Sequence, residues 1–265
     1  MENTVPLIII RVTENSAATV DDEVAREAPL TIILNDTELV TMLCSPAEER
    51  YLTAGFLAAE GLIETADDIA SLLIDETRGV ARVNTVVQGE ADRIWKRFIS
   101  SGCGRGATFY SAADVSSPPV ESSLKLDPFQ VYRLMRAFQD RSEVFKSTGG
   151  THAAALASGD TIELFSEDIG RHNAVDKVFG RCILDKIETK DKILLVTGRI
   201  SSEILLKVAR RGIPVLVSKS APTDSGVKLA DRLGITLIGF VRGHRMNVYA
   251  HSERVITGHE SQVTR

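Results

Sequence analysis

The sequence is short of cysteine, of long apolar runs and of positive charge, and each shortage removes a class of function. Its three cysteines, Cys44, Cys103 and Cys182, stand far apart. That spacing fits neither a disulfide framework nor the close ligand pairs of a zinc site, so no metal centre is expected. Apolar runs such as Ile193–Val196 are strand-sized, well below the ~20 residues of a membrane-spanning helix, and no membrane partner is expected. Met1-Glu2-Asn3-Thr4 opens with an acidic residue where a secretory signal carries positive charge, and no small-residue cleavage site follows, so a cytoplasmic location is expected. A formal charge of −5 and a pI near 5.6 speak against a nucleic-acid partner. Local basic clusters can still hold phosphates.

What remains is an ordinary globular composition, 43% hydrophobic and 25% charged over 265 residues, enough for one large or two modest domains. β-branched runs at 5–12 and 30–34, a turn at Asn35-Asp36 and a run at 38–43 predict β structure. Ser45-Pro46-Ala47-Glu48 reads as a helix cap. The helix would run to about Glu60, with Leu52, Phe56, Leu57 and Ile63 inward and Gly61 as the stop. A short helix is expected at 67–72 and a hairpin through Thr77-Arg78-Gly79, while the polar, proline-containing stretch 111–123 reads as a linker. Asp127-Pro128-Phe129-Gln130 repeats the cap logic, with Val131, Leu134, Met135 and Phe138 on one helical face. Beyond it the pattern is strand 152–157, strand 161–165, helix 173–187, strand 193–197, helix 202–211, strand 214–218, helix 225–233 and strand 235–240. This predicts a mainly parallel sheet with helices on both faces, an α/β fold. The expected division is a smaller α+β domain over 1–115 and a second domain over 124–265.

Ser101-Gly102-Cys103-Gly104-Arg105-Gly106 sets one thiol in a glycine-rich loop beside a guanidinium. A neighbouring cation favours the thiolate, the reactive form, so Cys103 is the candidate nucleophile or sulfur carrier. A plain surface turn is the alternative. Cys44, among apolar neighbours, is expected to be a buried structural thiol, and Cys182 falls inside a helix.

In parallel sheets ligands gather at the carboxyl ends of the strands. Here those ends carry Gly198-Arg199-Ile200-Ser201-Ser202, then Lys219 to Thr223, then Phe240-Val241-Arg242-Gly243-His244-Arg245. Guanidinium forks suit phosphate, and a phosphorylated or otherwise anionic ligand is inferred. In the segment 167–177, Arg171, His172 and Asn173 open a helix and face a ligand or serve the structure, and Asp176 and Lys177 read as solvated helix charges. His152 and His251 are weaker candidates. A zinc nucleobase deaminase on such a fold needs His-x-Glu and Pro-Cys-x-x-Cys. His172-Asn173-Ala174 lacks the glutamate, and 198–202 contains no cysteine.

The stretches GTHAAA at 150–155, EDIGRHNAVDK at 167–177, the 198–202 loop and FVRGHR at 240–245 together resemble the formate dehydrogenase accessory sulfurtransferases, the FdhD family. The resemblance spans about residues 39 to 249. It implies a cytidine-deaminase-like three-layer α/β/α C-terminal domain beside a smaller N-terminal one, and a homodimer. It implies a sulfurtransferase that takes sulfur from a cysteine desulfurase as a persulfide on Cys103. The sulfur then passes to the molybdenum bis(guanine dinucleotide) cofactor, bound as substrate, before that cofactor enters formate dehydrogenase. The cofactor would lie on Phe240, Val241, Arg242, Gly243, His244 and Arg245 with Gly198, Arg199, Ser201, Ser202, Lys219 and His172, and GDP would serve as a surrogate ligand. The family's loop has a second cysteine where this chain has Gly106, so an internal disulfide cannot resolve the persulfide. A non-catalytic cofactor-binding chaperone is the alternative that this departure keeps open.

Overall fold

The computed structural model describes residues 3–87 and 118–256. Cys103 with its loop, and most of the expected linker, lie outside the described residues. In chain order the strands are β1 (Thr4–Thr13), β2 (Ser16–Ala25), β3 (Ala28–Leu34), β4 (Thr37–Cys44), β5 (Ile69–Asp75) and β6 (Val80–Thr85). They continue as β7 (His152–Ser158), β8 (Thr161–Asp168), β9 (Ile193–Val196), β10 (Val215–Ser218), β11 (Thr236–Arg242) and β12 (Arg245–Ala250). The described helices are α1 (Glu49–Ala59), α2 (Pro128–Asp140), α3 (Glu143–Thr148), α4 (Arg171–Leu184), α5 (Ser202–Arg210) and α6 (Asp224–Arg232). Among the described residues no helix is long and apolar enough to cross a membrane.

The chain forms two compact units that interleave along the sequence. The first gathers Met1–Ile94, Ser142–Ala153 and Ser166–Asp185, the second Trp95–Arg141, Ala154–Phe165 and Lys186–Arg265.

In the first unit, β1 and β2 pair as an antiparallel ribbon, and β4-β3-β6-β5 form a separate four-stranded sheet. The Asn35-Asp36 turn has positive φ at both residues, +47° and +62°, the geometry that a two-residue hairpin between twisted strands favours. Leu30, Ile32 and Leu34 alternate inward and meet Leu52, Leu57, Ala81 and Val83 in one core, as a period of two on a strand requires. Two sequence expectations fail here. The helix expected at 67–72 lasts a single turn, Ala66–Asp68, because β5 begins at Ile69 and pairs with β6. The single turn is nonetheless anchored: Asp68 Oδ2 accepts the backbone N–H groups of Glu64 and Thr65, each at 2.8 Å. The ribbon strand β2 was missed, because its polar Ser16–Ala25 sequence carries no apolar alternation.

α1 and α4 cross in backbone contact. A Cβ added at Gly55 would lie 1.8 Å from the carbonyl oxygen of Asp176, and one at Gly180 1.8 Å from that of Tyr51. Neither neighbour is a flexible side-chain end, so only glycine fits at the crossing.

The second unit is built on the sheet β12-β11-β10-β9-β7-β8. β9, β10 and β11 run parallel, and the flanking strands β7 and β12 pair antiparallel with them. The sheet is therefore mixed rather than mainly parallel, with a parallel centre and antiparallel borders. β12 was not anticipated, since 240–245 read as a loop. α2 forms as expected. Asp127 Oδ1 accepts the N–H of Phe129 at 3.1 Å, and Val131, Leu134, Met135 and Phe138 are its buried residues. Gln130 does not close a capping box; it donates to the carbonyl of Gly159.

Gly180→Ala should lower stability by about 3 kcal/mol or more, at or above the usual overpacking range, as measured by denaturant unfolding. Gly180→Ala with a wild-type midpoint would contradict the backbone crossing.

Candidate functional site

Because β9, β10 and β11 are parallel neighbours, the loops that follow them emerge at one edge of the sheet. Hydrogen bonds join them into one surface. Ser218 Oγ donates to the carbonyl of Gly198 at 2.8 Å, Ile200 N donates to Ala221 O at 3.1 Å, and Thr223 N returns to Ile200 O at 2.9 Å. Phe240 N donates to Ser220 O at 3.1 Å, which ties the third loop to the second. The structure thus brings together Gly198, Arg199, Ser201, Ser202, Lys219 and Phe240. Ser201 caps α5, yet its side chain makes no capping bond, and its Oγ is buried without a partner. A buried hydroxyl without a partner costs free energy unless something satisfies it.

The end of β11 is distorted in the same place. Phe240 takes a φ of +53°, and the pairing with β12 shifts register between Gly239 and Arg242. A bulky residue in the left-handed region is strained, and such strain concentrates at ligand sites. The bulge aims the following residues. The Arg242 guanidinium lies over the Phe240 ring, 5.9 Å from its centroid. Gly243, with φ +56°, makes the tight turn, so Arg242 and Arg245 become direct cross-strand partners, both exposed. Like charges placed opposite each other are destabilising. Among the described residues, none of Arg199, Lys219, Arg242 and Arg245 forms an ion pair.

The hairpin also borders a groove of about 460 Å³ whose lining includes Phe129, Tyr132, Arg136, Gln139, Val241 and His244. Tyr132 meets His244 edge-on at 5.5 Å and Phe129 at 6.2 Å. Arg133 is engaged by Asp160 at 2.8 Å, whereas Arg136 has no ion pair among the described residues. The α2 contribution was missed by sequence reasoning. Its signal was two aromatic residues on the helix face opposite Val131, Leu134 and Phe138.

A model of the FdhD/NarQ family matches residues 25–256. The chain belongs to the FdhD/NarQ family. It is 45% identical over 241 residues to the "Sulfur carrier protein FdhD" of Geobacillus kaustophilus, covering 90% of this chain and 92% of that one. It is 44% identical to the protein of the same name from Halalkalibacterium halodurans, covering 94% of each. A crystal structure described as a candidate formate dehydrogenase accessory protein from Desulfotalea psychrophila superposes with a TM-score of 0.81 at 27% identity, covering 96% of this chain and all of that one.

Within this FdhD/NarQ chain the segment 167–177 has a structural task in the first unit. The Asp168–Lys177 ion pair, 2.7 Å, is wholly buried. Lys177 Nζ also donates to the carbonyls of Ser45 and Glu167, and Asp168 accepts from Ser45 N, Gly170 N and Asn173 Nδ2. Asp176 and Lys177 are therefore not solvated charges: both are buried, because the face of α4 that carries them packs on α1. Nor does Ser45 cap α1. Its Oγ accepts the N–H of Ile169 at 3.1 Å, and α1 starts after Glu48, whose φ is +60°. His172 sits half-buried on the first turn of α4, in the first unit, whereas the strand-end loops belong to the second. His152 has its pKa lowered by burial and then by the nearby Arg171 charge. His251 is held between Glu253 and the carbonyl of Asp231.

Cys44 and Cys182 are both buried free thiols, as expected. Burial, with the charge of Asp168 adding to it, pushes the Cys44 pKa up to about 12. A raised thiol pKa keeps the group protonated below that value, so at pH 8 roughly one molecule in ten thousand carries the thiolate. Native protein treated with iodoacetamide at pH 8 should leave Cys44 unmodified until it is unfolded; labelling at the rate of an exposed thiol would contradict this. Lys177→Ala strands the Asp168 carboxylate and should cost about 3–5 kcal/mol in denaturant unfolding. A loss under about 1 kcal/mol, the range of an exposed pair, would contradict the burial.

Proposed function

We propose that this chain is a sulfur carrier that serves formate dehydrogenase. It holds the guanine nucleotide ends of the molybdenum bis(guanine dinucleotide) cofactor, its substrate, at the strand-end loops. The supporting observation is that the unpaired cations Arg199, Lys219, Arg242 and Arg245 and the unpaired Ser201 hydroxyl all belong to the segments at the carboxyl ends of β9, β10 and β11. Guanidinium groups and the N-terminus of α5 with Ser202 suit diphosphate oxygens, and Gly198 lets a ligand approach the backbone. The groove beside His244 and Tyr132 offers edge-on rings and the Gln139 amide to a planar, hydrogen-bonding base.

In this reading Cys103 carries the sulfur. Its thiolate attacks the terminal sulfur of the donor's persulfide, a new S–S bond forms, and the cysteine desulfurase leaves as a thiolate. The exchange has no net oxidation and needs one accepting thiol, so Gly106 in place of a second cysteine does not block it. The protein works as a homodimer, with a cytidine-deaminase-like α/β/α layering about the six-stranded sheet.

GDP titrated into the protein should bind, and Arg242→Ala with Arg245→Ala should weaken it by about ten-fold or more, the loss of at least one charge-assisted hydrogen bond. Unchanged affinity would count against the site. Incubation with a cysteine desulfurase and cysteine should add one sulfur atom to the wild-type mass and none to Cys103→Ala. If Cys103→Ala instead restores formate dehydrogenase activity while the arginine variant does not, the chain is a cofactor-binding chaperone, the alternative that Gly106 keeps open.

A further inference from the structure

The β1–β2 ribbon stands apart from the four-stranded sheet as a sheet of its own. A two-stranded ribbon is marginal in water without further strands or a packed face. Direct pairing puts Ile8 opposite Asp21, Ile10 opposite Thr19 and Val12 opposite Ala17 on one face. On that face Ile8, Ile10 and Val12 are 76%, 72% and 71% exposed. Three large apolar side chains in a row at that exposure are costly unless they are covered.

The edges of the ribbon differ. α3 packs against β2, and a Cβ at Gly150 would lie 2.9 Å from that of Ala25. Among the described residues no backbone hydrogen bond leaves the outer edge of β1, so N–H and C=O groups stand open along it from Ile8 to Val12, beyond Pro6, which has no N–H to offer. The charges differ too. β2 carries Asp21, Asp22 and Glu23, while β1 has Arg11 as its single charged residue, and Arg11 is paired with Asp22 within the ribbon at 3.3 Å. β1 therefore offers a partner no free charge to recognise, only an apolar stripe and a strand edge.

We infer that the open edge of β1 pairs antiparallel with β1 of a second copy of this chain, giving a four-stranded sheet in which the Ile8, Ile10 and Val12 stripes of both copies become continuous. A two-fold contact needs a patch that complements itself. Apolar meets apolar here, and the acidic β2 strands are kept at the two outer edges, away from each other. Pairing through β2 would instead set carboxylates against carboxylates. An anionic lipid surface is disfavoured by the same acidic strand. This β1 contact rests on the homodimer of the proposed function and names its surface.

Sedimentation velocity of the full chain across micromolar concentrations tests it. Wild type should sediment as a dimer, and Ile8→Asp with Ile10→Asp as a monomer of unchanged circular dichroism. Ile8→Thr with Ile10→Thr and Val12→Thr keeps β-branched residues on the strand and should raise the dimer dissociation constant at least ten-fold. If both variants stay as dimeric as wild type, the surface is wrong while the homodimer stands. A monomeric wild type overturns both. Loss of desulfurase or formate dehydrogenase binding by a variant that is still dimeric assigns the ribbon to that partner and overturns the inference.

Discussion

Parallel pairing of β9, β10 and β11 is the constraint on which the second unit depends. Each strand ends at the same edge of the sheet, so residues far apart in sequence, Arg199, Lys219 and Arg242, reach one surface without any local contact bringing them there. Loop-to-loop hydrogen bonds through Ser218, Ile200 and Ser220 fix this surface. Under the proposed function such preformed loops would spend little binding energy on ordering themselves. It also carries local costs: Phe240 at positive φ, about 1–3 kcal/mol for such a residue, and the two arginines set opposite each other. An anionic ligand, as proposed, would relieve the second of these.

The first unit rests on a different device, a buried Asp168–Lys177 pair whose remaining polar capacity is met by the Ser45 turn and the start of α4. Buried pairs repay their desolvation only when such additional bonds are made, and here they are. The pair locks the chain at Ser45 to the chain at 167–177, and the glycine crossing of α1 and α4 continues the same contact one helical face further on. Family resemblance was carried partly by this segment. Its acid, base and amide groups serve the fold.

Patterns of one element were legible in the sequence. The α2 face, the Asp127 cap, the Asn35-Asp36 turn and the strand-end cations could all be read from spacing and residue type, because each depends on neighbours along the chain. What was illegible depends on neighbours in space. Nothing along the chain distinguishes Lys177 from a solvated helix lysine; the Ser45 carbonyl that receives it is 132 residues away. Ser45-Pro46-Ala47-Glu48 had every feature of a cap, yet Ser45 was claimed by Ile169. β12 was overlooked behind the loop-like Phe240–Arg245 segment, although Met246, Val248 and Ala250 alternate along it, and β2 was hidden because a solvated ribbon strand needs no apolar period. The Tyr132–His244 groove joins two elements that sequence reasoning treated separately.

The central claim is that the unpaired cations at the carboxyl edge of β9, β10 and β11 hold the phosphates of a guanine nucleotide. A crystal structure of the chain with GDP bound tests it most directly. The account predicts phosphate oxygens within hydrogen-bonding distance of Arg242 or Arg245 and of the Ser201–Ser202 helix start. GDP bound elsewhere, with those groups left unliganded, would contradict it.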